Sequence, residues 1–220
     1  MRRGDPRVAV LALLFGAITL VNLVLLAQPS LHPTGLSAST ATVGLVIMGT
    51  CSGPVVQGWN FISFCAQLPD PAIVSVLSGI DYRYVMRWNE SAQQFDVYSP
   101  NAASNPFDAF EINRSYFLYL NSGPDIITPS GGFNDDLNIT LTPGWSTPSW
   151  PFESNVNFTR YLNETVHRYH MKWNSTTQQF VIWSPRMANP PASVMFVGDG
   201  QFIYSENANT LNYNKTNLTG

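Results

Sequence analysis

The feature that most constrains the fold of this chain is an internal repeat. Residues 82–119 align without gaps with residues 167–204 at an offset of 85, and 14 of the 38 aligned positions are identical. Such self-similarity indicates one structural unit used twice. We therefore predict two homologous β-rich modules at residues 41–122 and 137–206, joined by a connector at residues 123–136.

Each copy contains the pattern of a β-hairpin. In the first copy, residues 82–88 alternate between two sets of side chains, residues 89–94 form a loop, and residues 95–98 return as the second strand. Successive side chains of a strand point to opposite faces of a sheet. The alternation therefore predicts a common face for one set of side chains: Tyr82, Tyr84, Met86 and Trp88.

Further strands are predicted on both sides of this hairpin. Residues 41–48 and 116–120 are apolar runs of strand length, and Gly58-Trp59 matches Gly144-Trp145 of the second copy with one residue of slippage. These segments give a fold class that is mainly β with short helices, an α+β module in each copy.

A short helix is predicted between the Gly-Trp strand and the hairpin. In the first copy Asp70 is placed to cap it, Pro71 suits its first turn and Gly79 suits its end. The spacing of the apolar residues predicts one buried face: Ile73, Val76, Leu77 and Ile80. In the second copy the same face is predicted from three residues: Phe158, Tyr161 and Leu162.

The N-terminal segment predicts a membrane span. Val8–Ala27 contains twenty residues without a charge, which is enough for a helix to cross a bilayer. Arginines precede it at positions 2, 3 and 7, and no Lys or Arg follows until Arg83, so residues 1–27 are predicted to place the N-terminus in the cytoplasm and the rest outside. An uncleaved signal anchor is favoured over a cleaved signal peptide, and residues 28–40 read as a flexible spacer.

Sequons for N-linked glycosylation support an exterior location. The pattern Asn-x-Ser/Thr occurs eight times, always after the apolar segment. Seven of these asparagines are candidate glycosylation sites: Asn89, Asn113, Asn138, Asn163, Asn174, Asn214 and Asn217. The eighth, Asn157, has the alternative role of capping the helix of the second copy. Residues 207–220 form an Asn-rich tail that is predicted to be mobile.

Cys51 and Cys65 are the only cysteines of the chain. An even number of cysteines in an exported chain predicts a disulfide, here closing a loop of about 15 residues. A metal or redox role is not favoured, since no histidine lies near them and their spacing is wide.

The repeated pattern also resembles a known kind of module. Gly-Trp, Trp-Asn, Phe-x-x-Tyr/Trp-Ser-Pro and Phe-Leu/Ile-Tyr follow one another in both copies. This order is similar to tandem modules of exported archaeal cell-surface proteins that follow an N-terminal export segment. The resemblance implies a surface location. It implies no catalytic residues, because that family is largely uncharacterised.

No set of residues typical of catalysis is found, so a non-enzymatic chain without cofactor or metal is predicted. His167 and His170 lie three apart on a predicted strand, which places them on opposite faces rather than together around a metal. Asp125, Asp135 and Asp136 lack the spacing of a calcium loop and are read as a polar connector. Eight basic and thirteen acidic residues follow the apolar segment, which disfavours nucleic-acid binding.

The leading functional prediction is a glycosylated surface protein with a structural or adhesive role. Its partners would be the membrane, through Val8–Ala27, and other envelope proteins or further copies of itself, with residues 41–48 available for strand addition. The alternative is carbohydrate binding. For that role Trp150 and Trp183 are the candidates, because neither has a tryptophan counterpart in the first copy, whereas the matched aromatics are expected to form the core.

Overall fold

Two antiparallel four-stranded sheets dominate the fold. They are seen in a computed structural model of the chain, which describes residues 53–127, 131–133, 136–160, 167–188, 191 and 194–214. We refer to residues 53–127 as the first half and to the described residues from 136 to 214 as the second half; both fall within one compact unit. The predicted span at Val8–Ala27, the spacer and the expected strand at residues 41–48 lie outside the described residues.

The first half contains seven strands and a short α-helix, α1, at Ile73–Val76. The strands are β1 Gly53–Val55, β2 Gly58–Ser63, β3 Ala66–Gln67, β4 Tyr82–Asn89, β5 Gln94–Tyr98, β6 Ser115–Leu120 and β7 Asp125–Ile127. Four of them form the first sheet in the order β2-β6-β4-β5, and β1 pairs with β7.

The second half repeats this arrangement, with a 3-10 helix at Phe158–Arg160 in place of α1. Its strands are β9 Asp136–Leu141, β10 Gly144–Ser146, β11 Val156–Asn157, β12 Tyr169–Asn174, β13 Gln179–Trp183, β14 Val194–Met195, β15 Gln201–Ser205 and β16 Asn209–Asn214. The second sheet has the order β10-β15-β12-β13, β9 pairs with β16, and β11 pairs with β14. A short strand at Gly132–Phe133, β8, pairs with β3.

The described residues are therefore mainly β, as the sequence predicts, and both predicted hairpins are present as β4-β5 and β12-β13. One detail of the prediction for the first hairpin is wrong, namely the common face of Tyr82 with the other side chains of its set. A register shift between Tyr82 and Tyr84 interrupts the alternation of β4, so Tyr82 packs on the same core as Val85. Because a bulge adds one residue to a strand, side chains before it change face relative to those after it.

The predicted helix of the first half is present but shorter than its apolar spacing indicates. Ile73 and Leu77 are buried, as expected, and Gly79 follows with φ +82°, a conformation that glycine adopts without strain. Asp70 does not cap the helix, since the residue that precedes α1 is Ala72. The Asp70 carboxylate instead accepts a hydrogen bond from the Ala72 amide at 3.1 Å, one residue before the helix begins.

Each sheet buries its outer face against a core within its own half. The first core contains Ile62, Val85, Tyr116, Leu118 and Leu120. They are covered by Ile73 of α1, by Leu77 directly after the helix and by the loop before β6. The second core is equivalent in position: Ile139, Leu141, Trp150, Phe152, Val156, Phe158, Trp183, Met195, Ile203, Leu211 and Tyr213.

The inner faces of the two sheets pack on each other through an aromatic layer. Rings from the two halves meet at 5.1 Å between Phe61 and Phe202 and at 5.5 Å between Phe117 and Trp173. The layer consists of the side chains repeated between the copies, with Phe61 in addition: Trp59, Phe61, Trp88, Phe95, Phe117, Trp145, Trp173, Phe180 and Phe202. The matched aromatics are therefore core residues, as predicted, and the core they form lies between the halves.

Two glutamines connect the halves by reciprocal hydrogen bonds. The side chain of Gln178 accepts from the Trp59 amide and donates to the Trp59 carbonyl, both at 2.9 Å. Gln93 makes the same two bonds to Trp145, at 3.0 and 3.1 Å. Each glutamine thus satisfies both backbone groups of a buried tryptophan in the other half, as an extra strand would.

The Gly-Trp motif follows from these bonds. Gly58 has φ +91° and Gly144 has φ +106°, in the region where only glycine avoids strain. A Cβ on Gly144 would lie 2.8 Å from the Gln93 side-chain oxygen. Glycine is therefore required both for the turn into the strand and for the approach of the glutamine.

None of the helices in the part of the chain that the structure describes is long and apolar enough to cross a bilayer.

Candidate ligand-binding cleft

A cleft of about 460 Å³ opens on one side of the junction between the halves. Its walls are β2 of the first half, the end of β12 and the loop from Phe196 to Asp199. This volume lies within the range of about 300–1,000 Å³ that is usual for small-molecule sites. The cleft is therefore large enough for a ligand.

An ion pair lies at the base of the cleft. Lys172 Nζ is 3.0 Å from Asp199 Oδ2, 3.0 Å from the carbonyl oxygen of Val194 and 4.4 Å from the ring centroid of Phe196. The side chains of Lys172 and Asp199 are 15% and 25% exposed, so the pair is only partly accessible to solvent. Burial raises the pKa of Asp199, while the nearby Lys172 charge and a hydrogen bond from the Phe196 amide favour the carboxylate.

Two asparagines complete the polar part of the cleft wall. Asn155 accepts a hydrogen bond from the Val197 amide at 3.1 Å and so holds the loop before β15 in place. Asn174 accepts from the amides of Thr176 and Thr177 at 3.0 and 3.1 Å, which fixes the tip of the second hairpin. Both use their side-chain oxygens, which leaves their amide nitrogens available to a ligand.

The equivalent region of the first half carries an ion-pair network. Arg114, which corresponds to Asp199 at the offset of 85, reaches across to the carbonyl of Trp88 at 3.3 Å and to Glu111 at 2.8 Å. Glu90, in the place of Ser175, lies 4.0 Å from Arg114. Arg87, in the place of Lys172, pairs with Glu111 at 3.0 Å.

The protonation of this ion-pair network reflects its partial burial. Burial raises the pKa of Glu90, and the Arg114 charge opposes that effect. Burial tends to lower the pKa of Arg114, but its hydrogen bond to Glu111 and the two nearby carboxylates hold that pKa above its ordinary value. For both Glu90 and Arg114, burial therefore disfavours the charged form and the nearby opposite charge favours it.

Trp150 and Trp183 do not line this cleft. Trp150 is 0% exposed and Trp183 is 9% exposed, and both belong to the outer core of the second half. Sugar stacking needs an accessible ring face, so the expectation that these two rings are exposed is corrected. The loops that cover the outer face of the second sheet hide both rings.

The two histidines lie in the same buried group, which corrects their expected placement on opposite faces. His167 stacks on Trp183 with centroids 5.4 Å apart, and His170 packs on Phe158 at 3.9 Å. β12 begins at Tyr169, so the alternation of a strand does not extend back to His167. No group of three metal-ligating side chains occurs among the described residues.

His170 is part of a buried polar network. Its Nε2 lies 2.9 Å from the Gln201 side-chain oxygen, while the Gln201 amide nitrogen donates to the carbonyl of Ser149 and to the Tyr213 hydroxyl, both at 2.9 Å. Burial lowers the pKa of His170 to about 3, with the His167 and Lys172 charges acting in the same direction. The imidazole is therefore neutral over the physiological range.

The remaining predicted positions are the two cysteines and several sequon asparagines. Cys65 is fully buried and disulfide-bonded, whereas Cys51 lies outside the described residues. Asn157 caps the 3-10 helix, since its side chain accepts from the Thr159 amide at 3.0 Å and from the Thr159 hydroxyl at 2.7 Å. Asn163 and Asn217 are outside the described part of the chain.

Gln93, Gln178 and the cleft residues are not among the positions predicted from the sequence. For the glutamines a signal existed, since Gln-Gln-Phe is identical in both copies. For the cleft the signal was a difference between the copies. Asp199, Ser175 and Phe196 differ in chemistry from the residues at the same positions of the first copy. Differences between copies are informative only once the contacts of one copy are known.

Comparisons with models of protein families, with curated proteins and with solved structures find no match to this chain.

Proposed function

We propose that this chain is a non-enzymatic, glycosylated surface protein. Val8–Ala27 anchors it in the membrane, and the β-rich portion lies outside the cell. Its role is structural or adhesive, through contacts with envelope proteins or with further copies of itself. The resemblance to archaeal surface modules belongs to this proposal.

The exposure of the sequon asparagines carries the proposal. Where exposure is described, Asn113, Asn138 and Asn157 are exposed, and Asn89 and Asn174 are half-buried at hairpin ends. A glycan is bulky and polar, so it requires a surface position. Each of these positions satisfies that requirement, which supports modification of an exterior chain.

Duplication of one module is a further part of the proposal. The sheets have the same strand order, and contacts between the halves are reciprocal: Trp88 Nε1 donates to the Trp145 carbonyl, and Trp173 Nε1 donates to the Trp59 carbonyl, both at 2.8 Å. Self-complementary contacts of this kind are typical of a two-fold symmetric dimer. We infer that the two halves are diverged copies that pack as a fused dimer.

Mass spectrometry of the protein recovered from its native membrane tests the proposal. The intact mass is expected to include residues 1–27 and attached glycans, and peptide mapping is expected to find glycans at Asn113 and Asn138. The control is the same preparation after enzymatic deglycosylation, which should collapse to one mass. A chain that is unmodified at every sequon would refute the glycoprotein assignment.

A further inference from the structure

The cleft at the junction of the halves is the place where their symmetry fails most clearly. On one side Arg114 and Glu90 belong to an ion-pair network, while on the other side Asp199 and Ser175 line a cleft. Because both sides have the same strands and the same tryptophan contacts, the difference lies in side chains rather than in the fold. An ion-pair network in one copy and a cleft lined by other side chains in the second indicate that the second side has a separate use.

The charge of the cleft restricts its ligand. Among the described residues that line it, Lys172 is the one cation and Asp199 the one carboxylate, and they pair at 3.0 Å. A phosphate or nucleotide would require an excess of positive charge, which the cleft does not offer. A purely apolar ligand would remove the ion pair from water and leave the amide nitrogens of Asn155 and Asn174 without hydrogen-bond partners. Burying charged and unpaired polar groups in this way costs free energy.

The remaining features fit a ligand with both apolar faces and hydroxyl groups. Phe196 is 51% exposed, although Lys172 lies over one face of its ring. Trp173 also lines the wall, but it is 7% exposed and packs in the aromatic layer, so stacking on a ligand falls to Phe196. The amides of Asn155 and Asn174 provide donors, and Asp199 Oδ1 provides an acceptor. An exposed aromatic ring matches the C–H face of a sugar, and amide donors beside a carboxylate acceptor match its hydroxyls.

We propose that this cleft binds a short neutral saccharide. Phe196 contacts the sugar ring, and Asn155, Asn174 and Asp199 bind its hydroxyls. Asn60 shapes the wall without binding, because its amide already donates to the carbonyls of Val56 and Gly58 at 2.7 and 3.1 Å.

The saccharide has two possible sources, since Asn174 is itself a sequon asparagine. The first sugars of a glycan on Asn174 would begin at the cleft wall, whereas a glycan from another molecule would enter from solvent. The equivalent Asn89 differs in its surroundings, since its amide nitrogen lies 3.5 Å from Asp96 Oδ2, beside the Arg87 ion pair. The arm of the test that concerns the chain's own glycan rests on the proposed function, whereas binding of a free saccharide does not.

Isothermal titration calorimetry of the full-length chain in detergent micelles tests the cleft. Protein from a host that does not glycosylate it is titrated with chitobiose, mannobiose and cellobiose, and with inorganic phosphate as the charged comparison. At least one disaccharide is expected to bind and phosphate is not. Phe196→Ala is expected to weaken that binding about tenfold or more, because it removes the exposed ring. Glu111→Ala, the equivalent change in the first half, is expected to leave it unchanged.

A second variant closes the cleft by introducing the residues of the first half. The triple change Ser175→Glu, Phe196→Glu and Asp199→Arg is expected to abolish binding while a cooperative thermal transition is retained. Equal affinity in the wild type and in both cleft variants, or no heat with any of the disaccharides, overturns the proposal. The single variant decides the question if the triple variant does not fold.

Protein from the native membrane then identifies the source. If the Asn174 glycan occupies the cleft, Thr176→Ala, which removes the sequon but keeps Asn174, restores disaccharide binding that is blocked in the wild type, and Ser91→Ala, which removes the Asn89 sequon, does not. If wild type and Thr176→Ala bind alike, the saccharide comes from another molecule. A chain that carries no glycans would contradict the surface-glycoprotein proposal but leave the cleft result standing.

Discussion

The two hydrogen bonds between the Gln93 side chain and the backbone of Trp145, here called the Gln93 bridge, offer the sharpest test of how the halves are joined. The side chain satisfies both the amide and the carbonyl of Trp145, a residue that is 5% exposed. Gln93 has φ +51°, so alanine would add backbone strain to the loss of the bonds. Asparagine tolerates this conformation and is one methylene too short to reach Trp145. Gln93→Asn therefore isolates the bridge.

The expected loss follows from the two bonds. Each hydrogen bond contributes about 1 kcal/mol, and a buried amide left without a partner costs about 1–3 kcal/mol. The Trp145 carbonyl keeps its bond from Trp88 Nε1 at 2.8 Å, so only the amide is left without a partner. We expect Gln93→Asn to lower the free energy of unfolding by about 2–3 kcal/mol, or the melting temperature by ~5–10 °C.

Equilibrium denaturation of the full-length chain in detergent measures this loss. Gln94→Asn is the matched control, because Gln94 is the next residue, of the same type, and its side chain is exposed. Gln178→Asn should cost the same as Gln93→Asn, since Gln178 makes the same bonds to Trp59. If Gln93→Asn and Gln94→Asn unfold at the same denaturant concentration, the bridge does not hold the halves together and the reasoning fails.

Two further predictions concern titration and charge. His170 has a pKa of about 3 in the folded chain and 6.5 as its ordinary value, so the unfolded chain binds more protons between these pH values and stability falls as the pH drops below 6.5. His170 alone should therefore make the free energy of unfolding about 2 kcal/mol lower at pH 5 than at neutral pH. His170→Gln, which keeps a partner for Gln201, should remove that part of the pH dependence in denaturation curves. An unchanged pH dependence would show that His170 is accessible to protons in the folded chain. Arg114→Met should lower the free energy of unfolding by about 1–2 kcal/mol, because it leaves the partly buried Glu90 without its cation. Arg168→Met, which removes an exposed pair with Glu206, is the control, and an equal effect of both changes would contradict a structural role for the Arg114 network.

The sequence by itself determined the local elements. The alternation of residues 82–88, the loop after Asn89 and the strand end at Ser99-Pro100 predict the first hairpin, which the structure contains as β4-β5. The repeat then predicts the second hairpin. These predictions succeed because strand alternation, turn residues and proline act within a few residues of the chain.

The tertiary structure alone decided what covers each sheet face. Alternation shows that Trp88 and Val85 point to opposite faces, but it does not show that one face packs on the other half and the other on α1. The partners of Gln93 and Gln178 are 52 and 119 residues away, so no local pattern identifies them. The burial of Trp150 has the same cause, because it depends on distant chain segments that cover the second sheet.

The cleft shows most clearly the difference between what the sequence determines and what the tertiary structure decides. Its residues are ordinary in sequence, and the repeat marks them only as positions where the copies differ. They line a cleft in the second half, where Asp199 and Ser175 stand in place of the longer Arg114 and Glu90 of the first half. Which side chains come together around a cavity is a property of the packed structure, so the sequence determined the repeated elements and the packing decided where the cleft lies.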